Sequence, residues 1–447
     1  MRGGVGVEKR YFTELEVASR QTMNRIQTTR LREQVRHAYT NSVFYRHKMD
    51  ESGVVPENVQ ELEDLEKLPF TTKDELKQSQ SEHPPWGDIL AVPIESCLRV
   101  HFTSGTTGRP VAVLDTPEDW RGFFASYARG LYAMGVRPSD MVMTAFGFGP
   151  WIGFWSGFYA AQEIGCLVIP TGGLSTDQRI DMLINYPITV FGSTPSYALY
   201  LAEQALKKGI DLAKDSDIRI TWHTGEPGAS IPSTKRKIEE AFGAKCFDLP
   251  GLTEIAAWGF ECEYQSGQIH IHEDYVYPEV LDPDRGEPVL PGETGELVFT
   301  SLYRKAMPLL RYRTRDIVKL AESPCPCGRT LLSLQGGVLG RLDDMKKVRG
   351  IIVYPSRIEE VVRRFREAEE FQIVFQRKDG LDHLVVKVDP SPALGNDDLS
   401  SLKEKLSEEL HLALGIRASV ELVEPGDLPR WDHKARRVVD ERQEVPF

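Results

Sequence analysis

The sequence predicts an α/β protein with a large N-terminal part and a small α+β C-terminal part. Three observations predict it. Between about 98 and 225, short apolar runs at 141–146, 166–169 and 188–191 alternate with amphipathic, helix-length stretches at 119–134, 151–164 and 195–208. Residues 285–320 change character: Gly286, Pro288, Pro291 and Gly292 separate strand-like runs at 295–299 and 317–320, a smaller β-rich subregion. After Gly340 the chain reads strand (350–354), helix (356–369), strands (371–377 and 383–389), helix (398–412) and strand (419–423).

The remaining elements follow from periodicity and capping. Leu15, Ala18, Met23, Ile26, Leu31, Val35 and Ala38 recur at helical intervals among charged residues, so 14–50 reads as helical. Thr71 to Leu76 resembles a helix start with acidic residues in its first turn. No internal repeat of 20–50 residues interrupts this order. At roughly 100–200 residues per domain, a chain of 447 residues suits two to four domains. The motifs below divide it at 1–339 and 340–447.

Composition excludes several classes. Hydrophobic residues at 41% and charged residues at 27% are too apolar a mixture for disorder. A net charge of −12 argues against nucleic acid or an anionic membrane as partner, so an anionic ligand needs a local site. The most apolar stretch, 155–170, is broken by Gln162 and Glu163, short of the ~18 apolar residues of a span. Residues 1–13 are basic and polar without an apolar signal region, and six cysteines are sparse. A reducing, cytoplasmic compartment is the expectation.

Five ordered motifs carry chemistry. In Thr103-Ser104-Gly105-Thr106-Thr107-Gly108-Arg109-Pro110, hydroxyls and glycines form a donor-rich loop suited to phosphate. It is no Walker A loop, since Arg109-Pro110 replaces Lys-Ser/Thr; the bland alternative is a polar turn. Asp248-Leu249-Pro250-Gly251-Leu252-Thr253-Glu254, preceded by Gly225-Glu226-Pro227, offers a carboxylate beside a hydroxyl for Mg²⁺ bridging to phosphate. Its alternative is a helix N-terminus capped by Thr253. Tyr312-Arg313-Thr314-Arg315-Asp316, placed just before a strand, offers a ribose acceptor in Asp316, or else a surface ion pair. Gly340-Arg341-Leu342-Asp343-Asp344-Met345 suits a hinge, and Lys434 lies in a basic C-terminal stretch that alone would read as solvated.

Apart from these, Cys325-Pro326-Cys327-Gly328 has a spacing that suits a tetrahedral zinc knuckle, with Cys262 and His270 as further ligands and His272 as a competitor for the histidine place. The segment 146–155 is dense in aromatics and glycines. It fails the GxGxxG spacing, and could form a flat slot for an aryl acid or ordinary core.

Taken in order, the motifs resemble the adenylate-forming (ANL) superfamily, specifically the phenylacetate–coenzyme A ligase group with the coenzyme F390 synthetases. The marks are TSGTTGRP (103–110), GLTE (251–254), Tyr277-Pro278-Glu279, ELVFTSL (296–302), RYRTRD (311–316), GRLDDM (340–345) and Tyr354-Pro355-Ser356-Arg357-Ile358-Glu359-Glu360. The resemblance implies a large multi-subdomain adenylate-forming domain followed by a small lid. It implies that Ser104, Gly105, Thr106, Thr107 and Gly108 wrap the ATP phosphates, that Glu254 holds Mg²⁺, and that Gly225, Glu226 and Pro227 line the adenine pocket. Asp248 and Thr253 join the nucleotide site and Asp316 binds ribose. Asp343 is the hinge, and Lys434, with Glu254 and Arg341, serves catalysis. Related ligases with Cys-Pro-Cys-Gly hold structural zinc, which implies Cys262, His270, Cys325 and Cys327 as ligands here.

Two departures stand out: Pro250 where an adenine-stacking aromatic is usual, and His433 where a glycine usually precedes the lysine. The implied reaction is ATP-dependent activation of an aromatic acid to acyl-AMP and thioester formation with coenzyme A. The alternatives are another acceptor (a carrier protein or an amine, for example) and a nucleotide-binding regulator without turnover. A homodimer is a further expectation.

Overall fold

The computed structural model describes residues 10–103, 110–147, 149–265, 267–378, 381–431 and 435–442. Its first layer is a parallel sheet in the spatial order Leu167–Pro170, Met141–Thr144, Val190–Ser193, Ile220–His223, Lys245–Asp248. Alternation along each strand feeds two cores. Val142, Val190, Trp222 and Phe247 face one, shared with the helices Pro117–Ala133 and Ile152–Ile164. Met143, Phe191 and Cys246 face the other, shared with Thr176–Asn185, Pro195–Lys207 and Pro232–Phe242. A sheet covered on both faces explains why its strands read as continuous apolar runs.

The β-rich subregion is wider than 285–320. It is a six-stranded antiparallel sheet in the order Gly259–Glu261, Gln268–Ile271, Ser333–Arg341, Tyr312–Leu320, Thr294–Ser301, Val276–Leu281. The Arg-Thr-Arg-Asp motif lies inside its strand rather than before it. Val298 pairs with Arg313 and Glu296 with Ile317, so Thr314, Arg315 and Asp316 stand against Leu297 alone. This bulge, with Arg315 at φ 65°, breaks the alternation by which a strand is recognised. Thr314 Oγ1 donates to the Leu297 carbonyl at 2.7 Å and accepts from the Asp316 N–H at 3.0 Å, holding the bulge in shape. The strand Ser333–Arg341 carries Gly340 and Arg341 as well, so the chain leaves this sheet after Arg341.

The C-terminal unit has its own core. Strands Ser419–Leu422, Leu381–Pro390, Ala368–Lys378 and Val438–Asp440 form one sheet, covered by the helices Pro355–Val362 and Asn396–Leu414 through Ile358, Phe371, Val386, Leu402 and Leu406. The first helix ends at Val362, not near 369: the Arg364 and Phe365 N–H groups turn back to the Val361 and Val362 carbonyls, and the next strand starts at Ala368. The carbonyls of Phe365 and Ala368 accept from Lys237 of the large domain at 2.9 and 3.0 Å. The strand Val438–Asp440 carried no sequence signal of its own.

At the N-terminus the expected helix is two, Arg20–Asn41 and Val43–Glu51, because Ser42 leaves helical geometry and its hydroxyl caps the second by accepting from the Tyr45 N–H. Thr72 caps the helix Lys73–Glu82 in a capping box with Glu75. Among the described residues, no helix is long and apolar enough to cross a membrane.

Candidate nucleotide site and cysteine–histidine cluster

The expected phosphate loop (Ser104, Gly105, Thr106, Thr107, Gly108) and Lys434 with His433 lie outside the described residues. The loop's two ends are fixed. It joins the antiparallel strands Arg99–Phe102 and Ala112–Asp115; across its base the Thr103 N–H donates to the Val111 carbonyl and the Val111 N–H to Thr103 Oγ1.

Glu254 sits in a turn after the short strand Gly251–Leu252, so the alternative of a Thr253-capped helix is excluded. Its carboxylate is buried, 3.0 Å from the Lys73 ammonium, and accepts from the Tyr312 hydroxyl at 3.2 Å. Burial and this carboxylate together hold the Tyr312 phenol well above its ordinary range, so it stays a donor. Lys73 escaped the motif reading although the helix start around it was legible. Thr71 pairs with the backbone of Arg311 and Arg313, which docks that start onto the strand bearing Tyr312.

Asp316 is buried, and desolvation pushes its carboxyl up to about 6 against the pull of Arg341, whose Nε lies 3.6 Å away. At neutral pH it is a carboxylate able to accept from two vicinal hydroxyls. Arg341 faces Asp316 across the ladder and also donates to the Thr314 carbonyl. Asp343 is half-exposed, 3.1 Å from Arg315 and 3.4 Å from Arg341. A single strand, Tyr312–Leu320, thus serves Glu254, the expected ribose acceptor and the expected hinge.

Asp248 ends the last parallel strand. Burial, with Glu261 adding to it, pushes Asp248 up to about 7, and its N–H donates to Glu261, which pairs with Lys235 at 2.6 Å. Thr253 is half-buried on the adjoining turn, and Pro250 is buried beside Gly259. Gly225 adopts φ 93°, a turn that favours glycine, and delivers Glu226 to a partly buried position. The Glu226 carboxylate accepts from the N–H groups of Ser196 and Ala435, each at 2.9 Å.

In the segment 146–155, Phe146 packs against Trp222 and Trp151 is exposed. The Trp222 indole fills the space between Gly157 and Gly192, where an added Cβ would come within 2.6 and 2.3 Å of it.

Cys262, His270, Cys325 and Cys327 bring their ligand atoms within 4.8 Å of one another, all buried. The Cys262–Cys325 sulfurs are 3.7 Å apart and Cys327 Sγ is 3.5 Å from His270 Nε2. With Zn–S of about 2.3 Å and Zn–N of about 2.0 Å, tetrahedral edges come to about 3.8 and about 3.5 Å. The donor set therefore fits zinc in spacing as well as kind. The Arg329 N–H points at Cys327 Sγ at 3.4 Å, as a peptide supporting a thiolate does. His272 turns instead to Arg129, 3.3 Å away. None of the six cysteines is disulfide-bonded.

Two family-model matches define the class: enzymes that bind AMP. Residues 20–303 match the AMP-binding enzyme family model, and residues 350–442 match the model of its C-terminal domain. The chain is 36% identical over 97% of its length to the phenylacetate-coenzyme A ligase of Thermus thermophilus, covering 100% of that protein. It is 35% identical to the Escherichia coli phenylacetate-coenzyme A ligase, over 96% of this chain and 98% of that one. The chain belongs to the phenylacetate–coenzyme A ligase family of adenylate-forming enzymes. Among solved structures, 2-hydroxyisobutyryl-CoA ligase in the postadenylation state superposes with a TM-score of 0.93 at 32% identity, over 98% of this chain and 94% of that one. The same ligase in the thioesterification state gives 0.74 at 33% identity, over 99% and 94%.

Proposed function

We propose that the protein activates an arylacetic acid, phenylacetate first among them, with ATP and transfers it to coenzyme A. The family reaction has two steps. A carboxylate oxygen attacks the α-phosphorus of ATP and displaces pyrophosphate; the thiolate of coenzyme A then attacks the acyl carbon and AMP leaves. The observation that carries the reading is the strand Tyr312–Leu320. It sets a buried carboxylate against Lys73 and a second against Arg341, within one site.

In this reading the Asp316 carboxylate orients the ribose, and the loop 104–108 would meet the phosphates. Glu254, buried and short of a full set of neutralising partners once ATP arrives, would hold Mg²⁺, which offsets phosphate charge. Lys434 would bridge the reacting carboxylate and the α-phosphate. A cation brought there only in one domain arrangement stabilises the transition state selectively. The unit from about 342 would turn about Asp343 between the steps. The higher likeness to the postadenylation structure supports assigning the present arrangement to the adenylation side of that cycle. Cys262, His270, Cys325 and Cys327 would hold a structural zinc away from the chemistry, in a reducing compartment.

One observation favours a second reading, a short branched acid: the fold superposes at 32% identity over 98% of the chain on 2-hydroxyisobutyryl-CoA ligase. A panel of phenylacetate, benzoate, 2-hydroxyisobutyrate and acetate, scored by pyrophosphate release with and without coenzyme A, decides between them. Phenylacetate should lead and consume coenzyme A. A lead by 2-hydroxyisobutyrate establishes the second reading, and release without coenzyme A consumption refutes the acceptor.

A further inference from the structure

The partly buried carboxylate of Glu226 bridges two elements far apart in sequence. One is the N-terminus of the helix Pro195–Lys207, where the Ser196 N–H donates to Oε1 at 2.9 Å. The other is the C-terminal unit, where the N–H of Ala435, next in the chain to Lys434, donates to Oε2 at 2.9 Å. A second tie lies two residues on. Arg437 donates to Ser196 Oγ at 3.2 Å and pairs with Glu370 of its own unit at 2.7 Å. The segment 435–437 is thereby pinned to one helix terminus at both ends. Both N–H groups that Glu226 receives are main-chain donors, so the contact reads the position of the backbone and not the side chain at 435.

A carboxylate is suited to this task. It has two acceptor oxygens, favours a helix N-terminus, and forms stronger bonds in a buried site than an amide does. Opposing the cost of burial are the two N–H donors and the nearby Arg437 charge. The family resemblance places Gly225-Glu226-Pro227 along the adenine; the Glu226 side chain, however, spends its acceptors on the neighbourhood of the lysine.

We propose that Glu226 is a positioning residue for adenylation, holding the backbone immediately after Lys434 so that its ammonium is presented to the reacting phosphate. The inference rests on the ligase reading and on the role given there to Lys434. Thioester formation, in which the C-terminal unit has turned away, should not require the contact.

The test separates the half-reactions in full-length protein. Phenylacetate-dependent ATP–pyrophosphate exchange reads adenylation, and synthetic phenylacetyl-adenylate with coenzyme A reads thioester formation. In Glu226→Gln one oxygen can still accept, but the amide NH₂ opposes the second N–H. Exchange kcat should fall about tenfold or more, the scale of one charged hydrogen bond. KM for ATP and thioester formation should stay within about twofold. Glu226→Asp, too short to span both donors, should fall between. Glu226→Gln added to Lys434→Ala should cost nothing further.

A raised ATP KM with unchanged kcat would overturn the proposal and make Glu226 an adenine residue. Equal loss of both half-reactions, or additivity with Lys434→Ala, would make it merely structural. The underlying reading fails separately, if Lys434→Ala itself leaves exchange intact.

Discussion

Two sets of charged contacts in this molecule look alike on paper and differ in what surrounds them. Inside the large domain, Arg129 and Asp274 meet at 2.6 Å with both side chains buried, and Arg304 meets Asp115 likewise. Between the domains, the helix Pro232–Phe242 meets Pro355–Val362 through polar groups. Ser233 donates twice to Glu360 (3.0 and 2.9 Å), Thr234 donates to Glu359, Lys237 reaches two carbonyls, and Arg366 pairs with Glu240. The first set is enclosed by apolar core; the second can exchange each partner for water. A joint of the second kind suits the domain turn proposed above, opening at little net cost, while the first would fix the frame against which that turn occurs.

The largest effect should come from the enclosed set. Arg129→Met leaves Asp274 buried without its partner, which should cost about 3–5 kcal/mol of unfolding free energy by chemical denaturation. A loss below about 1 kcal/mol would show that the buried pair is no more binding than the interface. Next comes the cysteine–histidine cluster. Cys325→Ser should abolish stoichiometric zinc in metal analysis and lower the melting temperature, because metal affinity is spent on folding. Zinc content equal to wild type would sink the assignment.

At the movable joint the expectation reverses. Glu360→Gln should change stability by less than about 1 kcal/mol, yet shift small-angle scattering toward more extended arrangements. Unchanged scattering would mean the contacts do not set the domain position.

The smallest effect is in pH. Burial holds the Lys237 ammonium down to about 7, with Arg363 adding to the fall and Glu370, Glu367 and Glu369 opposing it. An exposed lysine titrates near 10.4, so between about pH 7 and that value the undocked state binds more protons. Raising the pH across this window should therefore favour docking. Scattering from pH 6.5 to 8.5 should show progressive compaction, flattened in Lys237→Met; the opposite trend would assign the joint to other groups.

Much of this was legible because local chemistry leaves local marks. The Thr72 cap and the Cys-Pro-Cys-Gly turn are each contained within a few residues. What stayed hidden depends on distant partners or broken periods. Lys73 acquires meaning only from Glu254 and Tyr312, and Glu226 only from a backbone N–H more than two hundred positions away. The bulge at Thr314–Asp316 erased the alternation that would have shown a strand. Lys237 of the large domain meets the carbonyls of Phe365 and Ala368 in the other, a contact that no local pattern encodes.

The bulge also bears on how such a chain can diversify. Within five residues, Tyr312 reaches the Glu254 carboxylate, Arg315 grips Asp343 and Asp316 faces Arg341. Inserting or deleting one residue there would transpose all three assignments at once, since each side chain would inherit its neighbour's direction. Drift in substrate choice is therefore steered away from this strand and toward walls that can change singly. A packing site such as Gly157, Gly192 and Trp222 can change singly: trimming the indole opens space without moving any charged group.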